Sequence, residues 1–134
     1  MMGSRDIVVI DDHRPTCDLI AEVLSDAGYS VRIVQATDHA YATLERRQPD
    51  LILCNLRVNG ISGLDLLTAL RRHGIAVAVP VVIMTTDYQV VGDLDTQGFT
   101  DYLLKPFHLD ELLNCVATYS RGAAGQLQQR VVGI

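Results

Sequence analysis

Cysteine is scarce and odd in number: Cys17, Cys54 and Cys115 are the only three, each set among apolar neighbours. Three such thiols make no paired framework and suit the reduced state of a cytoplasmic chain, the expected location, with no redox or metal role. Cations are outnumbered too. With 11 Lys and Arg against 16 Asp and Glu, the net charge of −5 disfavours nucleic acid or an acidic membrane as a direct partner of this segment. Long hydrophobic runs are missing: Ile75 to Val79, cut off by Pro80, is far too short to span a bilayer. Met1 to Asp6 lacks the apolar core of a signal peptide. Glycine is absent from the turn Asp11-Asp12-His13-Arg14-Pro15, which is acidic and unsuited to cradling a flavin phosphate. His13, His39, His73 and His108 have no metal-ligand spacing and read as surface or cap residues. No internal repeat and no helix-turn-helix pattern occurs in these 134 residues, a length that suits one domain.

What is present is an alternation of two periods. Asp6 to Ile10 is a β-branched run ending in adjacent carboxylates, Asp11 and Asp12, and reads as a buried strand with an acidic tip. Pro15 suits a first helical turn, and Leu19, Ile20, Val23, Leu24 and Ala27 follow at helical spacing until Gly28. Ser30 to Ala36 alternates as an edge strand does; Thr37 and Asp38 open a helix carrying Ala40, Tyr41 and Leu44. Leu51 to Cys54 reads as the most enclosed strand, bounded by Pro49-Asp50 before and Gly60 and Gly63 after, and it delivers Asn55 at its end. Ser62 with Asp65 predicts a helix start, Leu64, Leu67 and Leu70 its buried stripe, and Gly74 its stop. Val81 to Met84 is a further buried run that delivers Thr85 and Thr86. A fourth helix is predicted over 87–97, weakened by Gly92. Thr100 to Leu104 predicts a fifth strand, and after Lys105-Pro106-Phe107 a fifth helix turns Leu109, Leu112, Leu113 and Val116 inward. A helix in every gap between strands implies right-handed βα units and a doubly wound five-stranded parallel sheet.

The acidic pair Asp11-Asp12, the strand-tip residue at 55, the Gly-Leu-Asp-Leu-Leu helix start, Thr85, Tyr102 and Lys105-Pro106-Phe107 together resemble the receiver domain of two-component response regulators. The resemblance covers residues 6 to about 118. It implies an α/β, flavodoxin-like fold with strand order 2-1-3-4-5 and five helices, as a receiver-like domain over 1–119 followed by a tail or linker start over 120–134. It further implies switch roles for Thr85 and Tyr102, a pocket lysine in Lys105, and a magnesium ion on Asp11, Asp12, the residue at 55 and the backbone carbonyl of Arg57.

At the position that matches the family's phosphoacceptor aspartate stands Asn55. A carboxylate oxygen is the nucleophile that forms an acyl phosphate, and a carboxamide is a poor substitute. Three carboxylates at about 5.5 Å would repel by about 3 kcal/mol per pair at an effective dielectric near 20, and the amide removes two of those pairs. Any magnesium is therefore expected to be held weakly, and no cofactor is required. Val58-Asn59-Gly60 departs from the family's usual Met-Pro-Gly, and Thr86 from its usual alanine or glycine. The expected function is a non-enzymatic, phosphorylation-independent signalling module, a pseudo-receiver. Its protein partner, a histidine kinase or a downstream effector, is expected on the fourth helix, fifth strand and fifth helix, with a homodimer as a second arrangement. Two other readings stand beside it: an ordinary phosphoaccepting receiver carrying an engineered aspartate-to-asparagine change at 55, and a small flavodoxin-like cofactor protein.

Overall fold

A computed structural model describes residues 4–87 and 98–120. Its elements run β1 (Asp6–Ile10), α1 (Arg14–Asp26), β2 (Ser30–Val34), α2 (Thr37–Arg46), β3 (Leu51–Asn55), β4 (Arg57–Val58), β5 (Ile61–Ser62), α3 (Gly63–Arg72), β6 (Val81–Thr85), β7 (Asp101–Leu104) and α4 (Leu109–Tyr119). Five strands form one parallel sheet in the order β2-β1-β3-β6-β7, which is the expected 2-1-3-4-5 once the short β4 and β5 are set aside. Four helices lie among the described residues. The predicted helix over 87–97 falls on residues 88–97, outside them, as do residues 121–134 of the expected tail.

The sheet is buried on both faces because its strands are apolar at successive positions. Val8, Ile10, Ile52, Cys54, Val81 and Ile83 face one layer, packed against residues of α2 and α3. Ile7, Val9, Leu51, Leu53, Val82 and Met84 face the other, packed against α1 and α4. Helix entry follows local chemistry. His13 caps α1, its Nδ1 accepting from the Thr16 amide, and Pro15 sits in the first turn. Ser62 caps α3 through Oγ, 3.3 Å from the Asp65 amide. At His108 the backbone amide donates to Glu111 Oε1 at 2.9 Å. Thr37 begins α2, although the cap residue itself is Ala36, which offers no side-chain acceptor.

Two helical stripes are narrower than their sequence spacing suggests. Leu109, expected inward, is exposed, as is Leu19 from the spacing that predicts α1; α1 buries Cys17, Ile20 and Leu24 while α4 buries Leu112 and Val116. Each helix turns about 100° per residue, so a neighbour of the buried row can fall outside the contact with the sheet.

The amino end of β1 is tied to the sheet edge by charge. Asp6 receives Arg32 Nε at 3.3 Å and Arg32 Nη2 at 2.5 Å, and Arg47 Nε lies 3.4 Å away. Arg32 also donates to the carbonyls of Thr43 at 2.9 Å and Arg47 at 2.8 Å, hooking β2 to the carboxyl end of α2. On the far side of the sheet's order, Arg71 donates to the backbone carbonyls of Ala76, Val79 and Gly98, fastening α3 to the approach of β7. Burial lowers the Arg71 pKa.

Candidate functional site

The chain moves from β1 outward to β2 and then crosses back to β3, so the strand order reverses between β1 and β3. In open α/β sheets that reversal leaves a crevice at the carboxyl ends of the strands. Asp11, Asp12, Asn55, Thr85 and Lys105 all follow or end strands there, and a cleft of about 300 Å³ is lined by Asn55, Arg57, Thr85, Thr86, Asp87 and Lys105.

Asp11 is fully buried, and its partners explain how a carboxylate is tolerated there. Lys105 Nζ lies 2.8 Å from Oδ2, and the His13 amide donates to Oδ1 at 3.0 Å. Lys105 reaches this point because its own backbone amide extends the β6–β7 ladder, donating to the Thr85 carbonyl at 2.8 Å. Asp12 is exposed and turned elsewhere: its Oδ2 accepts from the Asn59 backbone amide at 2.8 Å. The acidic pair therefore does not cap α1, a role that falls to His13.

Asn55 ends β3, and its Nδ2 donates to the Arg57 backbone carbonyl at 2.7 Å. Its main chain is held from behind, since a Cβ at Gly63 would meet the Asn55 carbonyl oxygen at 2.3 Å and Cys54 Sγ at 2.9 Å. Only glycine allows α3 to start that close to the strand. Thr85 is buried, and its hydroxyl accepts from the Asp87 amide at 2.9 Å, a local turn contact of the kind threonine commonly makes. Thr86 is exposed at the rim. Tyr102, for which the resemblance implies a switch role, is 39% exposed on β7, the edge strand of the sheet among the described residues.

Sequence reasoning did not foresee how residues 57–62 fold. Arg57↔Ser62 and Val58↔Ile61 pair antiparallel, so β4 and β5 form a tiny hairpin with Asn59 at φ 52° and Gly60 at φ 76°. Positive φ at both central residues is the type I′ pattern that matches strand twist, and Asn-Gly was its visible signal. The hairpin presents the Asn59 amide to Asp12.

Two thiols lie beneath the cleft. Cys17 Sγ donates to the Asp11 carbonyl at 3.1 Å; burial first and the Asp11 charge second push its pKa up to about 11. Burial, then Asp11, push Cys54 up to about 12. Neither offers a thiolate near neutral pH. Among the described residues no group of three or more His, Cys, Asp and Glu side chains is placed to hold a metal ion.

A family model described as the response regulator receiver domain matches residues 7–117. The phosphate regulon transcriptional regulatory protein PhoB of Pseudomonas aeruginosa is 34% identical over 116 residues, covering 84% of this chain and 50% of that protein. The transcriptional regulatory protein TcrA of Mycobacterium tuberculosis is 34% identical over 122 residues, 89% of this chain and 47% of that protein. The chain thus spans about half the length of these two relatives. Among solved structures, the receiver domain of NtrX from Brucella abortus matches with a TM-score of 0.79 at 28% identity, covering 88% of this chain and 100% of that one. With the flavodoxin-like sheet order, the strand-tip cleft and a match over most of its length, this chain belongs to the response regulator receiver domain family.

Proposed function

We propose that this receiver domain is a non-enzymatic protein-interaction module of signal transduction that works without accepting a phosphoryl group. The observation that carries the reading is the 2.7 Å hydrogen bond from Asn55 Nδ2 to the Arg57 carbonyl. Asn55 stands where the family resemblance places the phosphoacceptor aspartate, and Arg57 supplies the carbonyl that the same resemblance assigns to magnesium. The amide therefore removes the attacking carboxylate and engages a metal-directed oxygen in one step. Lys105 on Asp11, and the Asn59 amide on Asp12, engage one oxygen of each acidic side chain. Two carboxylates beside an ammonium, with the carbonyl engaged, do not fit a hard dication that prefers near-ideal octahedral oxygen ligation.

Output from such a module goes through surface contacts. Tyr102 on β7 and Leu109 on α4 are large side chains left exposed on the elements where a kinase or effector contact is expected, which supports a protein partner there. The relatives that are transcriptional regulators are about twice as long, so a regulatory output would be delivered through further protein, joined or separate.

The test is to incubate the chain and its Asn55→Asp variant with a small phosphodonor and magnesium and to read intact mass and melting. The parent is expected to gain no phosphate and no magnesium-dependent stability. Asn55→Asp places a carboxylate against the Arg57 carbonyl, so it is expected to melt lower in chelator and to recover with magnesium. That recovery reaches about 2.7 kcal/mol when the ion is at about one hundred times its Kd. Phosphate on the unmodified chain overturns the proposal. Ready phosphorylation of Asn55→Asp supports the reading of an ordinary receiver arrested by a single engineered change; magnesium binding without phosphorylation supports a pocket degenerate beyond residue 55, with Thr86 at its rim.

A further inference from the structure

The hairpin of β4 and β5 carries chemistry that the phosphate question does not touch. Its turn is Asn59-Gly60, the one place in the chain where an asparagine precedes a glycine. Asn59 is exposed, and its side chain makes no hydrogen bond among the described residues. Gly60 has no side chain to shield its amide nitrogen from the neighbouring carboxamide, and a Cβ placed there would meet nothing within 4 Å. The other two asparagines are protected. Asn55 precedes Leu56 and commits its amide to Arg57, and Asn114 lies inside α4 before Cys115.

We propose that Asn59 is a site of spontaneous deamidation that adds a carboxylate to the loop at the mouth of the acidic cleft. The Gly60 amide nitrogen gives up its proton to solvent base and attacks Asn59 Cγ. The new N–Cγ bond forms as the Cγ–Nδ2 bond breaks, and ammonia leaves. Water then opens the resulting succinimide at either carbonyl, giving aspartate or isoaspartate; no oxidant or reductant is consumed. Ring closure needs only the turn to open: Val58 stays anchored in the core, while Asn59 and Gly60 are exposed and held by two residue pairs and the bond from the Asn59 amide to Asp12. An exposed turn on so short a ladder opens locally at low cost. The product places a negative charge on a residue whose amide already contacts Asp12, so like charges meet where a neutral side chain stood. The isoaspartate form also lengthens the main chain by one carbon and removes the match between turn and strand twist.

Trypsin separates the three candidates, with Asn55 in Gln48–Arg57, Asn59 in Val58–Arg71 and Asn114 in a later peptide. The folded chain is held in mildly alkaline buffer, digested and weighed, and isoaspartate is counted with a methyltransferase specific for it. The mass gain of NH2 replaced by OH is expected in Val58–Arg71 several-fold faster than in either other peptide, and absent from Asn59→Gln. Asp12→Ala is expected to raise the rate several-fold, because the turn loses its pin. An unmodified Val58–Arg71 segment in the folded chain, under conditions where the excised peptide deamidates, overturns the proposal. So does equal modification of all three peptides.

Discussion

The two ends of β1 each bury a carboxylate, and they treat it differently. At the amino end Asp6 takes one edge of the Arg32 guanidinium, Nε and Nη2, in a two-bond fork, and the same guanidinium is hooked to two backbone carbonyls. At the carboxyl end Asp11 takes a single ammonium, Lys105, beside an open cleft of about 300 Å³. A planar fork fixes geometry, whereas a lysine is a mobile point charge that another cation can replace. The same strand is thus held by a rigid fork at one end and by a single flexible ammonium at the other.

That contrast breaks most visibly at Asp6. Asp6→Ala leaves Arg32 partly buried without its carboxylate and is expected to cost about 3 kcal/mol in urea denaturation, with no recovery on adding magnesium. Recovery by a divalent ion would mean that both ends are exchangeable. Lys105→Met strands Asp11 with only the His13 amide, at an expected cost of about 2 kcal/mol, and magnesium is expected to restore part of it. A loss that no cation repairs would make the carboxyl end a staple as well. The smallest effect lies beneath the cleft. From about 9 in the unfolded chain, burial pushes the Cys17 and Cys54 thiols up to about 11 and about 12 in the folded one. Their contribution is full below about pH 9 and is lost as pH rises through the folded values, about 1 kcal/mol per thiol by about pH 10. Alanine at either position is expected to flatten the fall of stability between about pH 8 and about pH 10.

Most of the sheet was legible because its signals are local. Runs such as Ile7 to Ile10 and Val81 to Met84 are β-branched and closed by polar residues, and Gly28 and Gly74 follow the ends of α1 and α3. The acidic pair, Asn55, Thr85 and Lys105 were legible as a group, since each follows or ends a strand and the topology gathers strand ends. What escaped were contacts fixed by three-dimensional distance. No spacing in the sequence says that Arg32 will clasp Asp6, that Arg71 will serve the carbonyl of Gly98, or that the Asn55 amide will turn to Arg57. The β4–β5 hairpin escaped for another reason: Asn59-Gly60 was visible, yet its flanking strands are two residues each, too short for alternation to register. Leu109 was placed inward because spacing gives a helical face but not its width.

Gly63 carries a consequence for how such a domain can change. With α3 lodged against the Asn55 carbonyl, the main chain at that position is set by the helix and not by the side chain it bears. The socket holds its shape whichever head group is fitted into it. A change of side chain at position 55 alters the head group offered to the cleft and leaves the main chain around it where the helix put it.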